Sequence, residues 1–144
     1  MLRQYLVGAA ASVCNIAIHA FVMVIVIKAA RIADELATRY QTLRLIAVMS
    51  AAVMVLMIAH LAEVLVWSLI YVIFGVAPDG SDIVYFAFVN YTTLGYGDVV
   101  PVERWRLLGP MAAMNGVLLF GWSTAVIFEI LRQTMRSNDR NSGP

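Results

Sequence analysis

Charge is what this sequence has least of. Only 13% of its 144 residues are Asp, Glu, Lys or Arg, against 62% hydrophobic. A soluble domain carries about 25% charged and roughly 45–50% apolar residues. A chain this short has too little interior to shelter so much apolar surface, which excludes a soluble globular protein. The net charge of +1 leaves no basic face, so nucleic acid is not an expected partner. The single cysteine, Cys14, removes an internal disulfide framework and a cysteine-rich metal site, and reads as a small packing residue. Glycine and proline are missing from residue 9 to residue 74, so nothing there breaks a helix. No apolar run repeats Arg or Lys at third positions, which removes a voltage-sensing charge ladder.

What remains is long apolar sequence punctuated by charge. Residues 4–27 and 107–128 hold no charged residue, and residues 45–78 hold only Glu63. A spanning helix needs about 20 mainly apolar residues, so these runs predict three spans, 5–27, 45–74 and 107–131. The first run is longer than the apolar core of a cleaved signal peptide. Lys28, Arg31, Arg39 and Arg44 flank the first connector, and Arg132, Arg136 and Arg140 lie in the tail, whereas residues 79–106 lean acidic. The bias of Lys and Arg toward the cytoplasm then puts the N-terminus and residues 75–106 outside and the C-terminus inside. The first two helices are expected to meet in a cytoplasmic hairpin. Its turn falls near 34–38, and Thr38 with Gln41 forms a capping box. A polar, frayed tail is expected over 133–144.

Residues 75–106 do not read as a loop. Gly75, Pro78 and Gly80 end the second helix, and Ser81 or Asp82 can cap a new one. The apolar run 83–89 is too short to span and leads into Thr92-Thr93-Leu94-Gly95-Tyr96-Gly97-Asp98. A short apolar helix followed by a glycine-spaced extended segment, set between two spans, predicts a re-entrant loop. Irregular backbone at membrane depth is tolerated where protein buries it or water lines it.

Here the sequence resembles the potassium-channel family. Thr93-Leu94-Gly95-Tyr96-Gly97 is similar to the family's TVGYG filter, with Leu in place of Val. The order also resembles the family: outer helix 39–74, pore helix 82–92, filter 93–97, Asp98, Pro101 and inner helix 107–131. The resemblance covers about 45–132; it implies a pore domain over 39–132, with 1–38 as an additional N-terminal helix and turn and 133–144 as a cytoplasmic tail. It implies an all-α membrane protein whose re-entrant pore helix and filter lie between the second and third spans. It further implies a homotetramer, because each chain carries one filter and four are needed to surround an ion. By the same resemblance, the carbonyls of Thr93, Leu94, Gly95 and Tyr96, with the Thr93 hydroxyl, bind K⁺, and the Leu94 and Tyr96 side chains wedge the filter against the pore helix. The Gly residues accept left-handed backbone that side chains resist. The C-terminal end of the pore helix adds partial negative charge that favours a cation.

Several positions depart from the family pattern. Tyr85 and Phe86 stand where members often have two Trp residues, and Tyr85 is expected to hydrogen-bond Asp98. Val89 replaces the acid some members carry behind the filter. In the inner helix, Gly116 and Gly121 are hinge candidates, though Gly116 with Ala112 also suits close helix packing. Helical spacing makes Asn115, Leu118, Gly121 and Ala125 cavity-facing candidates, and Glu129 can pair with Arg132 near the gate.

Polar groups inside the spans need partners. Asn15 and His19 lie four apart and His60 and Glu63 three apart, so each pair shares a helix face. They are expected to join the first two helices by hydrogen bonds, and titration of His19, His60 or Glu63 would make a proton-sensitive network. Nothing else suggests a haem or metal, and K⁺ is the one ion expected. The reading is a potassium-selective pore that passes ions passively and is not an enzyme. The alternatives are a non-conducting or regulatory pore-like subunit and a small haem-binding membrane protein. A bacterial plasma (inner) membrane is the expected location.

Overall fold

The computed structural model describes residues 1–35 and 41–141. Its elements are four helices, α1 (Leu2–Glu35), α2 (Gln41–Phe74), α3 (Ile83–Tyr91) and α4 (Leu108–Asn141), with a 3₁₀ turn at Glu103–Trp105. No strand occurs among the described residues. Of the hairpin turn expected at 34–38, residues 34 and 35 belong instead to the end of α1, while 36–38, and with them Thr38 of the Thr38–Gln41 box, lie outside the described residues. Three helices are long and apolar enough to cross a membrane, so the chain is an all-α, multi-pass membrane protein.

The helices run longer than the apolar spans alone suggest. The chain between residues 9 and 74 offers no glycine or proline to stop α1 or α2. The tail expected to fray from 133 is instead the end of α4, which continues to Asn141. The next glycine or proline is Gly143, and polar side chains support the helix surface there. Gln133 donates to Glu129 at 2.7 Å, and Arg132 reaches the same carboxylate at 2.6 Å.

α1 packs against both α2 and α4, and α3 is held between α2 and α4. One apolar core surrounds α3 and joins Trp67, Tyr71, Val76, Phe86, Tyr91 and Leu108 with Ala11 of α1. A second, nearer the other end, joins Met23, Val26, Leu56, Val126 and Ile130. The loop into α4 is pinned to both neighbours. The Val102 N–H donates to the Val76 carbonyl at 2.8 Å, and the Leu107 N–H donates to Gln4 Oε1 at 2.9 Å. Arg3 of α1 lies 5.2 Å from the Trp105 ring, within cation–π range.

Candidate functional site

α3 begins where Asp82 caps it, its carboxylate accepting the Tyr85 N–H at 3.0 Å. The helix closes at Thr92, whose N–H and hydroxyl both donate to the Phe88 carbonyl, at 2.9 and 2.7 Å. The chain then leaves the helix without losing hold of it. The Val89 carbonyl accepts the N–H groups of Leu94, at 3.0 Å, and Gly95, at 3.4 Å. Thr93, Gly95 and Gly97 have φ of 62°, 59° and 80°, while Leu94 and Tyr96 are not left-handed. Glycine takes this backbone freely, but a β-branched Thr is an outlier there. In a strand of uniform handedness successive groups face opposite sides. Alternating the sign of φ lets successive carbonyls face one side, which is what a row of cation ligands requires.

Leu94 and Tyr96, expected to wedge against the pore helix, are 54% and 67% exposed within one chain. Phe86 and Val89, by contrast, are buried, and Phe86 lies 5.1 Å from the Tyr71 ring.

At the N-terminal end of α3, the Tyr85 hydroxyl donates to Asp98 Oδ2 at 2.7 Å, the pairing expected from the sequence. Asp98 Oδ1 accepts the Val99 N–H at 3.1 Å. The Tyr85 bond, above all, holds the Asp98 carboxyl below the usual carboxylate range, and the same bond pushes the Tyr85 phenol up. Both side chains are exposed.

α4 sorts its candidates by face. Leu118, Gly121 and Ala125 are exposed, and Met114 and Phe128 extend the same stripe at helical spacing. Asn115 is not on it. It is buried, its Oδ1 accepting from Asn15 at 3.0 Å and from Trp67 Nε1 at 3.1 Å, so it faces α1 and α2 rather than a cavity. Gly116 is a close-approach glycine, because a Cβ there would collide with the Tyr91 carbonyl. α4 runs through it without a break, in keeping with packing rather than a hinge. Glu129 pairs with Arg132 on a half-exposed surface, an interaction of small energetic effect.

The polar residues inside the spans converge on Glu63. His19 Nδ1 lies 2.7 Å from Glu63 Oε1, and His60 Nδ1 lies 3.0 Å from Oε2. Asn15 donates to the Glu63 backbone carbonyl at 3.2 Å. Two members were not anticipated. Tyr91, the last residue of α3, donates its hydroxyl to Glu63 Oε2, and that hydroxyl also lies 2.9 Å from His60 Nδ1. Ser123 of α4 sits between both imidazoles, its Oγ 3.0 Å from His60 Nε2 and 3.1 Å from His19 Nε2. Ser123 and Thr124 are adjacent hydroxyls in an apolar run, and only the rotation of α4 decides which of them turns inward. Glu63, His19 and Asn15 are wholly buried. A carboxylate without water needs this many donors to remain at membrane depth.

Three membrane-length helices, with a short capped helix and a glycine-spaced segment between the last two, define a multi-pass membrane protein with a pore-type domain. A family model described as Ion channel matches residues 59–133, more than half of the chain, and the chain belongs to this ion-channel family. Passive ion conduction is the activity of that class. No match was found among curated proteins or solved structures. The matched range takes in Glu63, His60, α3 and Ser123, and leaves Asn15 and His19 on the additional helix.

Proposed function

We propose that this protein is a potassium-selective channel in which four copies place residues 93–97 around one axis. What supports the reading is the Thr93-Leu94-Gly95-Tyr96-Gly97 sequence together with its alternation of left-handed φ at Thr93, Gly95 and Gly97. A cation entering such a filter exchanges its water shell for carbonyls of Thr93, Leu94, Gly95 and Tyr96 and the Thr93 hydroxyl. Val89 anchors the start of the filter through its carbonyl, and Tyr85 with Asp98 anchors its end. The stripe of Met114, Leu118, Gly121, Ala125 and Phe128 lines the approach from the cytoplasm. Leu94 and Tyr96, exposed in one chain, meet the neighbouring copy. Ions move passively down their gradient, and no catalytic step is involved. The N-terminus lies outside and the C-terminus in the cytoplasm of a bacterial plasma membrane.

The test is the reversal potential of reconstituted protein with K⁺ facing Na⁺. A reversal near the K⁺ equilibrium potential, lost in Gly95→Ala or Gly97→Ala, is expected. Current reversing near zero would retain an ion channel and remove potassium selectivity. Absence of current from the intact assembly would favour a non-conducting subunit.

A further inference from the structure

We propose that the cluster of His19, His60, Glu63, Tyr91 and Ser123 is a binding site for one proton, held in excess of a carboxylate and two neutral imidazoles. The argument is a count of donors. The cluster has five links that each need a hydrogen: His19 Nδ1 to Glu63, His60 Nδ1 to Glu63 and Tyr91 together, Tyr91 to Glu63, and each Nε2 to Ser123. An ionised Glu63 with two neutral histidines supplies four, one from each imidazole and one from each hydroxyl. The conflict is sharpest at Ser123. Its single O–H can donate to one Nε2, and the other Nε2 then faces an oxygen with no hydrogen between them.

One added proton completes the set. Carried on an imidazole, it lets both Nδ1–H groups donate to the carboxylate. Ser123 then donates to one Nε2 and accepts from the other. Carried on Glu63 Oε1, it donates to His19 Nδ1, His19 Nε2–H donates to Ser123, and Ser123 donates to His60 Nε2. Both arrangements hold the same number of protons, satisfy every link and bring the cluster to zero net charge. Burial of His19 and Glu63 favours these arrangements, since an unmatched charge is costly at membrane depth.

Every packed element contributes. α1 brings His19 beside the neutral Asn15, α2 brings His60 and Glu63, α3 brings Tyr91, and α4 brings the neutral Ser123. Farther along α4, Glu129 and Arg132 are engaged with each other. His19, His60 and Glu63 also have the donor types of a zinc site. The fit favours a proton, because His19 Nδ1 and Glu63 Oε1 are 2.7 Å apart whereas ligands around tetrahedral zinc stand about 3.3 Å apart. The consequence reaches the pore. Tyr91 ends the helix whose Val89 carbonyl holds Leu94 and Gly95, so occupancy by the proton bears on the start of the proposed filter.

His19 and His60 are the two histidines of the chain, so ¹⁵N-histidine magnetic resonance of the full protein in lipid counts their ring protons without overlap. At neutral pH we expect three protonated ring nitrogens, or two together with a protonated-carboxyl infrared band that disappears in Glu63→Gln. Two protonated nitrogens with an ionised carboxylate would overturn the proposal. Ser123→Ala removes the conflict that demands the proton, and should lower its affinity by roughly tenfold or more. An unchanged proton count and affinity in Ser123→Ala would also overturn it. Stoichiometric Zn²⁺ binding at neutral pH that removes ring N–H signals would replace the proton with a metal. Conduction by the reconstituted protein should change over the pH range in which the ring signals change, and that dependence should vanish in Glu63→Gln. Conduction indifferent to pH across that range would overturn the link to the pore. The proton count stands apart from the channel reading, since it is read whether or not current flows.

Discussion

α3 carries two tyrosines, and each donates its hydroxyl to a carboxylate from another part of the chain. At one end Tyr85 meets Asp98 in the open, and at the other Tyr91 meets Glu63 in the interior. The pairing is the same and the surroundings are opposite. Asp98 has water and one neighbouring N–H to complete its shell, so the tyrosine adjusts its acidity without deciding whether it is charged. Glu63 is wholly buried, and its side chain takes contacts from His19, His60 and Tyr91. The exposed pair acts as a local latch. The buried pair is a junction through which three long helices meet the end of α3.

The comparison breaks first at Glu63. Glu63→Ala removes the carboxylate that both imidazoles and Tyr91 share. Removing one side of a buried polar set costs about 3–5 kcal/mol in soluble proteins, and hydrogen bonds between membrane helices average about 0.6 kcal/mol each. A loss of about 2–5 kcal/mol is therefore expected, read as an earlier thermal transition of the purified protein. Tyr91→Phe takes away one donor and leaves His60 on the carboxylate, so about 1 kcal/mol should be lost. If Tyr91→Phe destabilised as much as Glu63→Ala, the junction would rest on the tyrosine rather than on the carboxylate.

How much of this could be read from residue order depends on what fixes each feature. The three spans and α3 were legible because charges and glycines punctuate them. The pairing of the helix carrying His19 with the helix carrying Glu63 was legible because polar side chains in apolar runs must find one another. The Tyr85–Asp98 contact was expected from the family resemblance, Tyr85 standing where members often carry a Trp and Asp98 following the filter-like segment. The rotation of α4 was legible only in part: Leu118, Gly121 and Ala125 fall on the exposed stripe, whereas Asn115, about 100° around the helix from Met114, turns inward. That rotation is set by Gly116 meeting the Tyr91 carbonyl, a contact between segments that sequence spacing does not encode. Ser123 was missed for the same reason. The far end of α4 reads as frayed from its polar composition, whereas the helix, supported by the contacts of Glu129 with Arg132 and Gln133 and unbroken there by glycine or proline, continues to Asn141.

The smallest effect belongs to the exposed latch, and its sign follows from the acidity of Asp98. The Tyr85 bond depresses the Asp98 carboxyl, so the latch is fully formed above the ordinary carboxylate range and is lost as pH falls through the lowered value. Neutral and mildly acidic solutions should leave it intact. Tyr85→Phe removes the main cause of the depression, and protonation of Asp98 then occurs at a higher pH. The acid-induced change in conduction, or in the ¹³C-carboxyl resonance of Asp98, should move upward in pH in the variant. Folding should be little altered, because both groups already face solvent. A variant with the same acid profile as the native protein would show that Asp98 draws its acidity from elsewhere, leaving the junction at Glu63 as the tyrosine–carboxylate pair of α3 with consequences.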